Sequence, residues 1–349
     1  MTAPLLSTPL GIRAADLRDA GEAARIDAFV RDQPGATPFH LTAWSRAVEA
    51  GCRQRARYLV AERGNGAIAG VLPLTEMRSV LFGRALVSTG FGVGGGVLGD
   101  ALEPLAAGAS DLAQRLNCPS VELRGGEAPA GWAVDDATYV GFARPLAASD
   151  DAELAAIPRK QRAEVRRALG GELEVTVGRD AAALAEHHRV YAESVRNLGT
   201  PVFPAALFRA VAASMDADIL TVRHRGRAVA SVLSLYAGGT AYPYWGGGTR
   251  AARGLRANEL MYFALMGHAR ARGCMRFDFG RSKAGTGAAA FKKNWGFAPA
   301  PLRYARRSDG PARAVNPLDP KYALMVRTWQ RLPLPLATAL GPWIARGLG

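Results

Sequence analysis

The sequence predicts an α/β (α+β) protein of two tandem units, each a mixed twisted sheet flanked by helices, on three observations. Two stretches repeat the same order of motifs, their spacings agree within a few residues, and strand-like and helix-like apolar patterns alternate along both. The 349 residues suit about two domains of ordinary size. Hydrophobic residues at 49% and charged residues at 21% exclude a wholly disordered, collagen-like or coiled-coil chain.

The repeat opens with Tyr58-Leu-Val-Ala-Glu, a turn around Gly64-Asn65-Gly66 and Ala67-Ile-Ala-Gly-Val-Leu-Pro-Leu, β-rich runs about a turn that read as a hairpin. Its second copy is Ile219-Leu-Thr-Val-Arg, a turn at His224-Arg225-Gly226 and Ala228-Val-Ala-Ser-Val-Leu-Ser-Leu. A glycine run follows each hairpin (Gly94–Gly96; Gly246–Gly248), then a helix, then a strand started by a cysteine. Cys118-Pro-Ser-Val-Glu-Leu corresponds to Cys274-Met-Arg-Phe-Asp-Phe, which sets Glu122 opposite Asp278. Leu72 and Leu233 are 161 residues apart and the two cysteines 156, so the register holds.

Helical spacing places Leu184, His188, Tyr191 and Val195 on one face before the second hairpin, and Leu260, Phe263, Gly267 and Ala271 on one face after it. Gly273 stands where a glycine would end that second helix. The expected units are residues 1–150 and 151–310, divided near Pro145-Leu-Ala-Ala-Ser-Asp-Asp, with a basic, tryptophan-bearing segment at 311–349.

The 44 Lys+Arg against 30 Asp+Glu leave a net charge of +14, which favours an anionic partner such as RNA, a phosphorylated precursor or an acidic membrane surface. Only five of those bases are lysines, so the arginine-heavy composition weakens the argument from charge. Cys52, Cys118 and Cys274 are widely spaced and form no C-x-x-C, which argues against a disulfide framework or structural zinc and fits a reducing cytoplasm. No signal peptide and no transmembrane helix are expected, because the first dozen residues lack a basic region and no uncharged run reaches about 18 apolar residues.

Three local patterns suggest chemistry. In Gly287-Ala-Ala-Ala-Phe291-Lys292-Lys293-Asn294-Trp295-Gly-Phe297, two of the five lysines lie between aromatics, suiting a phosphate or a terminal ribose; solvated lysines beside core aromatics would look alike. Arg159, Arg162 and Arg166 share one side of a helix behind Pro158 at its first position, forming either a track for phosphates or a solvated face. Tyr242-Pro-Tyr244-Trp245-Gly-Gly-Gly-Thr-Arg250 through Arg253 to Asn258-Glu259 places glycines before a helix, either for an anion or as a plain turn. Gly94-Gly-Gly96-Val-Leu-Gly99 spells a dinucleotide fingerprint, but Asp100 and Glu103 follow where pyrophosphate would sit. His187 and His188 are adjacent on a helix and make poor metal partners, and no metal site is expected.

Taken in order, the basic helix start, Asn197-Leu-Gly-Thr-Pro-Val-Phe-Pro, the Gly-Gly-Gly-Thr-Arg to Ala-Asn helix, Phe-Asp-Phe-Gly and Phe-Lys-Lys-x-Trp-Gly-Phe resemble the FemAB-like family. More narrowly, the chain is similar to FemAB-like proteins associated with exosortase/PEP-CTERM exopolysaccharide systems. The resemblance implies two acetyltransferase-like (GNAT-type) domains and a transferase that joins an acyl or aminoacyl group to an amine. It implies an aminoacyl-tRNA donor, no tightly bound cofactor, and an amine-bearing envelope or exopolysaccharide precursor, free or lipid-linked, as acceptor.

Carried over residue by residue, the resemblance implies Phe291 and Lys292 at the end of the tRNA and the reacting ester; apart from the resemblance, Asp278, on the strand leading to that loop, and Glu259 are the candidates for a general base. Lys293, Trp295, Trp245, Arg253 and Asn258 are expected on the donor; Arg159, Arg162, Arg166, Tyr244, Arg281 and Lys283 on acceptor phosphates. The chain lacks the helical-arm insertion of the cell-wall enzymes. Acyl-CoA is the alternative donor, although Ala251-Ala-Arg253-Gly254-Leu-Arg256 misses both ends of the usual pyrophosphate loop. A third reading is a non-catalytic basic adaptor for anionic precursors, cytoplasmic and peripheral on the inner membrane face.

Overall fold

The computed structural model describes residues 10–308 and 320–349. Its first half contains β1 (Gly11–Ala14), α1 (Ala20–Asp32), α2 (Thr42–Cys52), β2 (Arg55–Glu62), β3 (Ile68–Ser79), β4 (Gly83–Ser88), β5 (Leu98–Gly99), α3 (Leu102–Arg115), β6 (Ser120–Arg124) and β7 (Ala133–Asp135). There follow β8 (Tyr139–Pro145), α4 (Asp150–Ala156), α5 (Arg159–Leu169), β9 (Leu173–Gly178), α6 (Ala181–Asn197), α7 (Ala205–Ser214), β10 (Ala217–His224), β11 (Arg227–Ala237) and β12 (Thr240–Gly248). The remainder is α8 (Ala252–Leu255), α9 (Ala257–Ala271), β13 (Arg276–Lys283), α10 (Gly287–Asn294), β14 (Pro299–Pro301), β15 (Tyr304–Ser308), α11 (Pro320–Arg331) and α12 (Leu334–Ala345).

Both hairpins form, and each carries a register shift, at Ala61/Glu62 in the first and Val222/Arg223 in the second. These positions are separated by 161 residues, the spacing of the repeat, so the units share an irregularity that apolar alternation alone does not impose. Gly273, at a φ of 82°, follows the end of α9 as its position in the sequence suggests. Pro158 stands one position earlier than expected, at the N-cap of α5.

One sheet runs β1-β2-β3-β4-β6-β15-β7, with β5 pairing β3, and the other β14-β8-β13-β12-β11-β10-β9. This corrects a division of the chain at residue 150. β8, from the expected first unit, lies beside β13, while β15, from the expected second, lies between β6 and β7. The physical reason is edge satisfaction: β6 and β13 each need an antiparallel neighbour for their outer hydrogen-bonding groups, and each half of the chain supplies it to the other. Residues 311–319 of the expected C-terminal segment lie outside the described residues.

The inner strands of each unit are parallel and part early. β12 and β13 pair only at Thr240↔Arg276 and Ala241↔Phe277, and β4 and β6 at three positions. The wedge left by these splayed strands opens toward the other unit. Between the units lies a shared core in which Trp44 and Phe91 meet Phe208 and Trp245. The Trp44 and Trp245 rings stack with centroids 5.9 Å apart. Burying a side chain such as Phe208 contributes roughly 1.5–3 kcal/mol, so this aromatic cluster holds the halves in one orientation. Gly51 lets α2 cross α7 closely, since a Cβ there would sit 2.4 Å from the Leu207 Cα.

Candidate functional site

The interface encloses a cavity of about 780 Å³. Phe39, His40 and the glycines at 94 and 96 line it from the first half; Tyr244, Trp245, Asp278, Arg281 and Lys292 line it from the second.

Lys292 reaches it from α10, whose start is capped by the Thr286 hydroxyl. Opposite, β13 is irregular: its pairing with β8 shifts register between Asp278 and Arg281. Gly280 sits within that shift at a φ of 71°, a left-handed conformation that glycine adopts without a Cβ penalty. The bend turns two carbonyls toward the lysine, and Nζ donates to Gly280 O at 3.0 Å and Arg281 O at 2.9 Å. The ammonium also faces the rings of Phe142, at 5.5 Å, and Phe279, at 5.7 Å. Burial pushes its pKa down to about 8, with Arg281 acting in the same direction and Asp278 opposing.

Burial raises the Asp278 carboxyl, against the backbone N–H of Gly280, which donates to it at 2.8 Å, and the charges of Lys292 and Arg276. Its repeat counterpart behaves differently. Glu122 is bonded by Arg124 and Arg306, which together outweigh its burial and hold it at about 2. The first-half carboxylate is thus neutralised in place, whereas Asp278 remains at the cavity wall.

Arg281 donates to the Tyr304 hydroxyl and lies over the Tyr139 ring, 4.9 Å from its centroid. Tyr244 donates its hydroxyl to Phe91 O, tying the two halves together at the cavity edge. His40 is buried, and its Nδ1 accepts from the Thr37 N–H at 3.1 Å while Nε2 bonds Gly96 O at 3.2 Å. Burial lowers its pKa to about 4, so it is a neutral spacer that holds the glycine loop.

The structure brings Asp278, Arg281, Lys292, Tyr244 and Trp245 together in the cavity wall, and the other expected site residues are not among those that line it. Phe291 packs on Tyr262, Phe279 and Trp295, and Trp295 is wholly buried in the second-unit core. A donor-binding role for Trp295 is therefore corrected to a packing role. Lys293 is exposed on α10, and Lys283 is half-buried with its amine 5.8 Å from the Tyr139 ring centroid. Arg253 is exposed on the single turn α8, whereas Asn258 lies in the first turn of α9 with its Oδ1 buried and unbonded.

Of the arginines expected to form a phosphate track on α5, Arg162 donates to Ile157 O at 3.0 Å and Ala155 O at 2.7 Å, closing the end of α4, while Arg159 and Arg166 are exposed and do not line the cavity. Sequence reasoning missed His40, Phe39, Phe142 and Arg276, because no local motif marks a side chain that reaches the cleft only through assembly of the halves. Among the described residues, no group of three or more His, Cys, Asp or Glu is placed to hold a metal ion.

The sequence model of the acetyltransferase (GNAT) domain matches residues 158–293. No curated protein sequence matches the chain. Among solved structures, the chain is similar to FemX at 16% identity and a TM-score of 0.65, over 84% of this chain and 96% of that one. It is similar to the C-terminal domain of a putative lysylphosphatidylglycerol synthetase from Agrobacterium fabrum, at 14% identity and a TM-score of 0.58, over 88% and 96%. It is similar too to a tandem GNAT protein from the clavulanic acid biosynthesis pathway, at 13% identity and 0.56, over 87% and 100%. With two repeated units around one cleft, the chain has a tandem GNAT-type fold.

Proposed function

We propose that the protein is an acyl or aminoacyl transferase that forms an amide on an amine-bearing acceptor in the cleft between its halves. The observation that carries this reading is the half-buried Lys292 ammonium in the cavity wall: two of its three N–H groups bond backbone carbonyls, leaving one for a substrate oxygen. The acceptor nitrogen attacks the donor carbonyl, a C–N bond forms, and the carbonyl oxygen becomes an oxyanion beside Lys292. Its collapse breaks the bond to the ester or thioester leaving group. Asp278, its basicity raised by burial, takes the proton released from the amine. Phe291, packed on Tyr262, Phe279 and Trp295, anchors α10 and with it the position of Lys292.

We read the donor as aminoacyl-tRNA, in line with the FemAB-like motif order and with similarity to a protein named as a lysylphosphatidylglycerol synthetase. Acyl-CoA is the second reading. It is favoured by the acetyltransferase-domain match and by the unbonded Asn258 Oδ1, which sits beside Gly248 at the end of β12. The acceptor is read as an envelope or exopolysaccharide precursor handled at the inner membrane face. In support, α12 exposes Leu336, Leu340 and Trp343 on one side, while no helix among the described residues is long and apolar enough to cross a membrane.

The test offers purified protein labelled aminoacyl-tRNA and labelled acetyl-CoA in parallel, with an envelope-precursor extract, beside Lys292→Ala. Transfer from one donor, reduced about 10²- to 10³-fold in the variant, is expected. Undiminished turnover by Lys292→Ala would remove the lysine from the mechanism.

A further inference from the structure

We propose that the Arg281 guanidinium is a binding subsite for an oxyanion, and that the acceptor therefore carries a carboxylate or phosphate besides its amine. The part concerning the acceptor rests on the transferase reading; the binding site itself does not. Several other shielded arginines among the described residues have carboxylate partners, whereas half-buried Arg162 and Arg196 donate to backbone carbonyls instead. Arg124 pairs with Glu122, Arg144 with Glu153, and Arg57 with the fully buried Glu76. Arg281 has none within ion-pair distance among the described residues; its side chain has the Tyr304 hydroxyl and the faces of Tyr139 and Tyr304.

A guanidinium has five N–H donors, and one phenol leaves most of them unanswered. It also stays charged when shielded, so the missing negative partner is electrostatically costly. Arg281 lines the cavity, and its neighbours there add to the imbalance: Arg276, Arg281 and Lys292 face a single acidic side chain, Asp278. His40 is neutral and contributes no charge. Lys292 Nζ lies 2.9 Å from the carbonyl of Arg281 itself, so both cations belong to one segment of wall. One small molecule can present an oxyanion to Arg281 while its amine faces the reacting centre. A carboxylate and a phosphate offer the same paired oxygens to the fork of the guanidinium.

The experiment measures tryptophan fluorescence, with Trp245 in the cavity wall as reporter, during titration of the full chain at fixed ionic strength. The probes are N-acetylglycine, its uncharged amide and inorganic phosphate. We expect the acid or phosphate to bind and the amide not to bind, with affinity lowered about tenfold or more in Arg281→Met and to a smaller degree in Arg281→Lys. A stronger response to the acid assigns a carboxylate acceptor; a stronger response to phosphate assigns a phosphorylated one. Equal binding of amide and acid, or unchanged anion affinity in both variants, overturns the proposal. If Arg281→Met does not fold, Arg281→Lys decides alone, and an affinity within about twofold of the original overturns it. The titration uses no donor and no turnover. A failed transfer assay thus counts against the transferase reading, and a failed titration against this subsite.

Discussion

Lys292 and Asp278 show how two residues take their chemistry from a single irregularity in a strand. The shift between Asp278 and Arg281 frees the Gly280 and Arg281 carbonyls for the lysine and the Gly280 N–H for the aspartate. Burial then pushes both groups toward their neutral forms, the lysine down to about 8 and the carboxyl upward. The proposed mechanism uses Lys292 charged and Asp278 ionised, which fixes the sign of the pH dependence. Transfer should rise with pH as Asp278 loses its proton and fall as pH passes about 8, where the ammonium is lost. A stopped-time assay across pH 5 to 9.5 checks this. A rate still climbing above pH 9 would mean that the neutral amine is the active form.

At the scale of elements, the same residue type serves two different ends according to its neighbours. Arg162 shares its helix face with Arg159 and Arg166 in the sequence, yet it closes the C-terminal carbonyls of α4 and packs α5 against it. Arg162→Ala should lower stability by about 1 kcal/mol, the net value of a typical intramolecular hydrogen bond, and leave transfer unchanged. Urea unfolding followed by circular dichroism, with the transfer assay on the folded variant, separates the two effects. A variant of full stability with lost transfer would return Arg162 to the binding site. Trp295 shows the limit of motif reading in the same way. Its place beside Phe291 and Lys292 suggests stacking on a ligand, but with Phe297 and Phe277 it fills the core beneath α9 and β13.

The whole molecule is two copies of one unit that cannot be separated by a single cut. β8 completes the second sheet beside β13 and β14, and β15 completes the first between β6 and β7. Residues 1–150 expressed alone would lack β15 and leave β6 with an open edge, and residues 151–349 would lack β8. Each half alone should therefore be aggregated or poorly structured, and co-expression should recover a soluble complex, checked by size-exclusion chromatography and amide dispersion in NMR spectra. Two well-dispersed, monomeric halves would contradict the strand exchange. The shared Trp44–Trp245 core adds to this coupling, because neither half buries its aromatics without the other.

The amino-acid sequence by itself determined the repeated unit, since hairpins, glycine runs and cysteine-started strands are local patterns that backbone preference and apolar alternation write at short range. It also singled out Lys292, Asp278, Arg281, Tyr244 and Trp245, which occupy recognisable motifs. Only the tertiary structure decided which motif residues meet. The distance from His40 to Lys292 along the chain is far too long for any periodicity to report, and the cavity between them exists because two units pack across Trp44 and Trp245. Likewise the sequence could not show that Glu122 is quenched by Arg306 while its counterpart Asp278 stays at the cavity wall, because that partner arrives on the exchanged strand β15. Local interactions set the elements; burial and charge pairing across the exchanged strands chose one of two equivalent wedges to carry the candidate site.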